Sequence, residues 1–185
     1  GFVNPPSSNV IDKFPFAADA NATDVGNLTV ARSTLVGQSS KEFGYSSGGK
    51  LNPPGVAQNI IDKFPFASDG NATDVGNLSG SRSGPAGQSS LTHGYASGGF
   101  YTATVDKFPF SSDANATNVG NLTVARGGPA GQSSTVFGYS SAGRVGAPPY
   151  APTNIIDKVS FASDGSATDV GDLTAARFNL AGQQY

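Results

Sequence analysis

The sequence contains no cysteine, no methionine and no tryptophan, and it has a single histidine. Without cysteine, neither a disulfide framework nor a thiolate metal site can form. Charged residues make up only 13% of the chain and its net charge is −2, which argues against nucleic acid as a partner. No apolar run approaches the roughly 20 residues of a membrane-spanning helix, so membrane insertion is not expected. The lack of methionine even at position 1 predicts a fragment or a processed product.

The chain does contain a fourfold internal repeat. The pentapeptide Asp-Lys-Phe-Pro-Phe stands at residues 12–16, 62–66 and 106–110, and the variant Asp-Lys-Val-Ser-Phe stands at 157–161. Counted from the aspartate, the periods are 50, 44 and 51 residues. Periods in this range are typical of solenoids, propellers and arrays, in which each repeat buries its faces against neighbours. We therefore expect residues 1–185 to form one repeat domain.

Each repeat is expected to contribute four short antiparallel strands, because its 44–51 residues are rich in glycine and other turn-forming residues. The small residues of segment 85–90 suit a strand that is crowded by equivalent strands of other repeats. Segment 94–99 is an aromatic strand that ends in a double glycine, and segment 105–110 places two phenylalanines on one side. An Asp-Gly hairpin signal and a fourth strand complete the repeat. Four such strands predict a propeller blade.

The apolar residues of the third and fourth strands are expected to be buried between blades. They are Phe14, Phe16, Phe64, Phe66, Phe108, Phe110 and Phe161, with Val25, Val75, Val119 and Val170. Spacers of variable length, at 50–59, 100–104 and 144–154, explain the drift in period and are predicted to form loops on one face.

The repeat resembles the kelch-type β-propeller family, whose motif has an arginine before the first strand and an aromatic residue before a double glycine. The matching positions are Arg32, Arg82, Arg126 and Arg177; Tyr45, Tyr95 and Tyr139; and Gly49, Gly99 and Gly143. Ala142 replaces the first glycine of the third pair, and the Phe-Pro-Phe pair is expected to replace the tryptophan usual in the family. The resemblance implies four-stranded blades. Four repeats would form either four blades, one of them a composite of both chain ends, or part of a larger ring.

Two repeated polar motifs each allow two interpretations. The arginines are expected to pair with a neighbouring aspartate or carbonyl group and hold the repeats together, although a symmetric circle of them could bind an anion. The Asp-x-Asn/Ser stretches that begin at Asp19, Asp69, Asp113 and Asp164 are expected to build turns, and calcium binding there is the alternative. No other metal or cofactor is expected.

The sequence does not predict an enzyme. Its one histidine, His93, occupies a position where the sister repeats carry Phe43 and Phe137, which is not expected of a general base. Loops on a rigid scaffold are where recognition usually occurs. The spacer residues Phe100, Tyr101, Arg144 and Tyr150 are therefore the candidate ligand-binding or partner-binding residues.

The amino-acid sequence of the repeats is also similar to repeat tracts of marine bacteriophage structural proteins. This second resemblance implies a structural or recognition module of a virion, such as a tail or fibre protein. Its partners would be other virion proteins or a host surface glycan or receptor, and it could form oligomers. A secreted carbohydrate-binding propeller at the bacterial surface is the alternative, and an enzyme that uses the axial cleft is a third possibility.

Overall fold

A computed structural model describes residues 7–146 and 149–182, which form fifteen β-strands in antiparallel sheets. Sheet A comprises β1 (Val10–Lys13) and β2 (Thr23–Asn27). Sheet B comprises β3 (Val36–Ser39), β4 (Phe43–Ser47), β5 (Ile60–Pro65) and β6 (Thr73–Asn77). Sheet C comprises β7 (Ala86–Ser89), β8 (His93–Ser97), β9 (Thr104–Pro109) and β10 (Thr117–Asn121). Sheet D comprises β11 (Ala130–Ser133), β12 (Phe137–Ser141), β14 (Ala151–Ser160) and β15 (Thr168–Arg177), with β13 (Arg144–Val145) paired to β14.

The prediction of an all-β chain is confirmed. Sheets B and C each contain four consecutive strands, as the repeat pattern indicates, and the spacer of sheet D adds β13. Within the described residues, no helix is long and apolar enough to cross a membrane.

The small-residue strands β3, β7 and β11 lie side by side. A Cβ atom on Gly87 would lie 2.3 Å from the carbonyl oxygen of Gly37, and one on Gly131 would lie 2.0 Å from that of Gly87. The backbones therefore approach too closely for any larger residue. This confirms the expectation that small residues mark strands crowded by their equivalents.

The hairpin between the third and fourth strands joins each sheet to the sheet before it. The turn of sheet B donates from the amides of Gly70 and Ala72 to the carbonyl oxygens of Val25 and Asn27 on sheet A, both at 2.8 Å. In sheet C, the amide of Ala116 donates the hydrogen bond that is equivalent to that of Ala72. Successive sheets are thus connected at the hairpin as well as along their first strands.

Two apolar clusters fill the spaces between the complete sheets. The cluster between sheets B and C contains Tyr45, Ile61, Leu78, Ala96, Phe108 and Ala116. The cluster between sheets C and D contains Tyr95, Val105, Leu122, Val159 and Ala167. In both, a tyrosine of one sheet stacks on a phenylalanine of the next: Tyr45 on Phe110, with ring centroids 4.9 Å apart, and Tyr95 on Phe161, 4.8 Å apart.

The prediction that all the repeated phenylalanines and valines are buried is wrong for four of them. Phe14, Phe16, Phe66 and Val170 are exposed, and Phe16 is 97% accessible. In the described structure, no tyrosine from the second strand of the preceding sheet packs on Phe14, Phe16 or Phe66. Val170 lies on β15, and no further sheet of the described residues covers that strand. Among the other seven only Phe108 is fully buried, and the rest are half-buried.

The described sheets do not form a closed ring. Strand β1 pairs with β2, and no other described strand pairs with β1. The predicted composite blade of both chain ends is therefore not formed by the described residues; its first strand includes residues 183–185, which lie outside them. Residues 147–148 of the third spacer also lie outside.

Candidate functional site

The repeated arginines lie at the connections between sheets. Arg32, Arg82 and Arg126 are buried, and each forms an ion pair with the aspartate of the third strand of the sheet that follows it. The pairs are Arg32–Asp62 at 3.0 Å, Arg82–Asp106 at 2.7 Å and Arg126–Asp157 at 3.0 Å. Burial lowers the pKa of each arginine, and the charge of the paired aspartate opposes this shift. Because each guanidinium has its own carboxylate, the three do not converge on one shared site.

The double glycines and tyrosines complete these connections. The amides of Gly49, Gly99 and Gly143 donate to the carbonyl oxygens of Arg82, Arg126 and Arg177, at 2.9, 3.0 and 2.9 Å respectively. All three glycines have positive φ, between 98° and 114°, which side-chain-bearing residues rarely adopt. Tyr45 and Tyr95 are buried against the next sheet, whereas Tyr139 on the last sheet is half-buried.

Arg177 differs from its three equivalents. Its side chain is exposed and its Nε donates to the carbonyl oxygen of Ala175 at 3.3 Å, instead of forming a buried ion pair. The expectation that all four arginines bond to an adjacent repeat therefore fails here. The physical reason is that the aspartate partner lies on the following sheet, and no described sheet follows sheet D.

The Asp-x-Asn turns use their oxygen atoms to connect neighbouring sheets. Lys63 and Lys107 contact Asp113 and Asp164 of the next turn. The side-chain oxygen of Asn71 accepts a hydrogen bond from the amide of Asn27 at 2.9 Å. Within the described residues no group of three or more His, Asp or Glu side chains is arranged to hold a metal ion. Calcium at these turns stays a prediction.

Phe100, Tyr101, Arg144 and Tyr150, the candidate binding residues of the sequence analysis, come together in the structure; we call them the aromatic cluster. Phe100 and Arg144 occupy the same repeat position, directly after the double glycine of sheets C and D. The backbone of Arg144 forms a two-way bridge with Gly127, at 3.0 and 2.9 Å, which fixes it beside the Phe100 spacer. Tyr150 directly precedes β14.

Arg144 is the centre of this cluster. Its guanidinium carbon lies 4.6 Å from the ring centroid of Phe100 and 4.7 Å from that of Tyr150. Both distances are within the range of a favourable cation–π contact. The hydroxyl groups of Tyr101 and Tyr150 also contact each other. Tyr101 has a φ of 66°, an uncommon conformation for a bulky residue, and the residue is 59% exposed.

A cavity of about 180 Å³ opens at the aromatic cluster. Its wall includes Arg126, whose Nη2 is bound to Asp157 and to the carbonyl oxygen of Ser140, and whose Nε and Nη1 have no acceptor within the described structure. Arg32 has the same two unpartnered atoms and no aromatic cluster, so they are not specific to this cavity, whereas Nε and Nη1 of Arg82 donate to the carbonyl oxygens of Gly80 and Thr104. None of the lining residues carries a carboxylate. The cavity therefore combines aromatic faces with positive charge.

Sequence reasoning missed one member of this surface. The ring of Phe178 lies 5.6 Å from the guanidinium carbon of Arg144. The sequence does contain a signal for this residue. Phe178 follows the repeated arginine, and the sister repeats have Ser33, Ser83 and Gly127 at that position. A large aromatic residue at a position that is otherwise small indicates a local specialisation.

Other candidate positions are occupied by structural contacts. Gln38 and Gln88 on the first strands donate to the carbonyl oxygens of Tyr95 and Tyr139 on the next sheet, at 2.9 and 3.0 Å. His93 is half-buried beside Tyr95. Burial, together with the nearby charge of Lys107, lowers the pKa of His93, and the charge of Asp164 opposes this shift.

No family model matches the chain, and no curated protein matches it. Among solved structures, the chain is similar to the structure of YjhT, with a TM-score of 0.72 and 11% sequence identity. The match covers 94% of this chain and 67% of that chain. At this identity, the likeness concerns the fold alone.

Proposed function

We propose that the chain is a non-enzymatic recognition module with propeller architecture, and that sheets A to D are consecutive blades of a larger ring. The repeated arginine, glycine and tyrosine contacts support this arrangement, because they join successive sheets in the same way each time. A ring of only four blades has less support, because the described ends do not pair.

The observation that carries the recognition proposal is the convergence of four non-repeated side chains on one cavity. Repeated residues are dictated by the contacts between sheets and recur in every repeat, so they are unsuited to selecting one partner. The aromatic cluster occurs once among the described residues. Tyrosine provides a large, rigid contact area at low entropic cost, and an arginine held between rings is already ordered before binding.

We place this module in a bacteriophage virion, as a tail, fibre or other particle protein. The similarity between the amino-acid sequence of the repeats and the repeat tracts of such proteins supports this assignment. The partner would then be a host surface glycan or receptor, or another virion protein. Aromatic faces beside guanidinium groups also suit a sugar ring, and this favours the second candidate, a secreted carbohydrate-binding propeller at the bacterial surface.

The test uses glycan arrays and whole host cells as probes for the labelled protein. We expect the double variant Tyr101→Ala with Tyr150→Ala to bind at least tenfold more weakly than the native protein. The comparison uses whichever glycan or cell type the native protein binds. The thermal midpoint should change little, because Tyr101 is exposed and Tyr150 lies in a loop. Leu91→Ala is the matched control, since Leu91 is an 87% exposed residue in a different connection.

Two results would overturn the proposal. Undiminished binding by the double tyrosine variant, with loss on substitution of Gln88 or Gln132, would place recognition at the first strands. Equal loss in the Leu91→Ala control would show that the aromatic cluster has no special role.

A further inference from the structure

The spacers and the connections between sheets are hydrogen-bonded to each other and form one surface. The amide of Phe100 donates to the carbonyl oxygen of Ser83 at 2.9 Å, and the spacers of sheets B and D form backbone bridges with Ser33 and Gly127. Each spacer is thus bonded to the connection that leads into its own sheet. We call this surface the spacer face; it comprises the spacers 50–59, 100–104 and 144–154 and the connections 28–35, 78–85 and 122–129.

The spacer face carries positive charge and no carboxylate. The chain has a net charge of −2, yet all its aspartates and its one glutamate lie outside these segments. The three repeated arginines of the face are already in buried ion pairs with third-strand aspartates. The other cations of the face are Lys50 and Arg144, and both are half-buried. A surface lined by one sign of charge attracts ligands of the opposite sign.

Arg144 is the cation of this face that lies in the cavity of the aromatic cluster. Its guanidinium carbon lies 4.6, 4.7 and 5.6 Å from the ring centroids of Phe100, Tyr150 and Phe178. These contacts order the guanidinium, but they leave its five N–H donors for other acceptors. No ion pair between the described residues includes Arg144. The cavity therefore holds an ordered positive charge that no described carboxylate neutralises.

We propose that the aromatic cluster selects a sugar unit that carries an oxyanion, either a carboxylate or a phosphate ester. This inference rests on the proposed function and gives that site its class of ligand. The oxyanion accepts hydrogen bonds from Arg144, and the sugar ring lies against Tyr101 and Tyr150. Arginine suits this role because its planar fork of donors matches two oxygen atoms of a carboxylate or phosphate.

The cavity favours a sugar unit over an acidic peptide. Its volume of about 180 Å³ is below the roughly 300–1,000 Å³ of pockets for drug-sized ligands, so it suits a single ring of a glycan chain. An extended peptide commonly binds by adding a strand to a sheet edge. The backbone of Arg144 is already bonded to Gly127 and paired with Pro152 of β14, so it offers no such edge.

A neutral sugar should bind this cavity poorly. It would displace water from the guanidinium of Arg144 without supplying a counter-charge, and a desolvated charge without a partner is costly. Sites built around a specific polar partner reject analogues that lack it much more strongly than apolar pockets reject a missing methylene group. The charge of the ligand is therefore the property that this site discriminates.

The test measures binding of the labelled full chain to pairs of glycans that differ only in charge. The carboxylate pair is oligogalacturonate and its methyl ester, and the phosphate pair is a phosphorylated mannan before and after phosphatase treatment. An array of further acidic glycans, each beside its neutral form, extends the comparison. We expect at least tenfold tighter binding of one acidic member than of its neutral form, and a smaller ratio at high salt concentration, because salt screens accessible charges. The pair that shows the preference identifies the oxyanion.

Variants of the two half-buried cations locate the effect. Arg144→Gln should abolish the preference for the acidic form and leave the weaker binding of the neutral form, since the tyrosine rings remain. Arg144→Lys should keep part of the preference, because lysine retains the charge and loses the planar fork. Lys50→Gln is the matched control: it removes a cation of the same face that does not line the cavity, so the preference should be unchanged. The thermal midpoint of each variant shows that it is folded.

The outcomes separate this proposal from the recognition site on which it rests. Equal binding of acidic and neutral forms by the native protein, or no binding of any acidic glycan, would overturn the proposal. An equal loss of preference in Lys50→Gln and Arg144→Gln would also overturn it, because the whole face would then act in place of the cavity. Binding of an oligoglutamate peptide in preference to every glycan would assign the cavity to a protein partner. In contrast, acidic-glycan binding that persists in the double tyrosine variant would contradict the recognition site itself.

Discussion

The buried arginine–aspartate pair is the residue-scale unit that holds successive sheets together. Asp106 accepts from the Nη2 of Arg82 at 2.7 Å, and it also accepts from the amide and hydroxyl of Ser79 at 2.8 and 2.7 Å. Both charged side chains are almost fully inaccessible. Two buried charges are costly to desolvate, and these additional hydrogen bonds offset that cost. One carboxylate that accepts from three hydrogen-bond donors therefore fixes the segment that connects the two sheets.

Removing one partner of such a pair should be strongly destabilising. We expect Asp106→Asn to lower the free energy of unfolding by about 3–5 kcal/mol, because the guanidinium of Arg82 stays buried without a counter-charge. Asp12→Asn provides the matched control. Asp12 is the same repeat residue on β1, but it is exposed, so its change should stay below about 0.5 kcal/mol. Urea denaturation of the two variants measures the difference, and similar losses in both would contradict this account of the pair.

At the scale of the element, the close approach of the first strands depends on a glycine in each Ala/Val-Gly-Gln segment. The Cβ position of Gly131 lies 2.0 Å from the carbonyl oxygen of Gly87 on the neighbouring strand. That oxygen belongs to the backbone of a paired strand, so it cannot move aside without displacing sheet C. In contrast, the nearest atom to the Cβ position of Gly37 is 3.9 Å away.

This contrast predicts opposite results for one substitution at two equivalent positions. Gly131→Ala should force β7 and β11 apart and lower the thermal midpoint by several degrees, since overpacking typically costs about 1–3 kcal/mol. Gly37→Ala should be neutral or slightly stabilising, because its methyl group meets no close atom and alanine restricts the unfolded chain. Differential scanning calorimetry distinguishes the two. A loss at Gly37 equal to that at Gly131 would show that the close approach of the first strands does not decide the effect.

Strands could be predicted from the sequence because their signals are local. The small-residue segment, the aromatic strand with its double glycine and the Asp-Gly hairpin each specify backbone geometry within a few residues. Burial was less predictable because it depends on the neighbouring sheet. Phe14 and Phe108 occupy the same position of the same pentapeptide, yet one is 57% exposed and the other 1%. The sequence around each residue is nearly identical, so only the sheet that precedes it decides the difference.

The candidate site shows the same limit. The aromatic residues of the spacers could be selected from the sequence, because they interrupt a repeated pattern. Their convergence depends on the bridge between Gly127 and Arg144, which joins the third spacer to the segment that follows Arg126. No local pattern encodes that bridge. Phe178 reaches the cluster from a third segment for the same reason.

At the scale of the whole molecule, each contact between two sheets pairs one group of the earlier sheet with one group of the later sheet. The earlier sheet supplies the tyrosine, glutamine and lysine, and the later sheet supplies the phenylalanine, carbonyl oxygen and aspartate. Stability is then a sum over neighbouring pairs, as in other repeat proteins. Sheet C has a complete neighbour on both sides. Among the described residues, sheet A has one neighbouring sheet and only two strands, and a two-stranded sheet is marginally stable by itself in water.

Native-state hydrogen exchange should therefore show a gradient along the chain. We expect the amides of β8 and β9 to exchange most slowly, through opening of the whole structure, because sheet C is packed between sheets B and D. The amides of β1 and β2 should exchange at least about tenfold faster, through local opening that leaves the other sheets intact. Asp106→Asn should accelerate exchange in β8 and β9, whereas Asp12→Asn should leave their exchange unchanged. Equal protection of β1 and β8 would show that the chain opens as one cooperative unit, and that the missing neighbour of sheet A does not determine its stability.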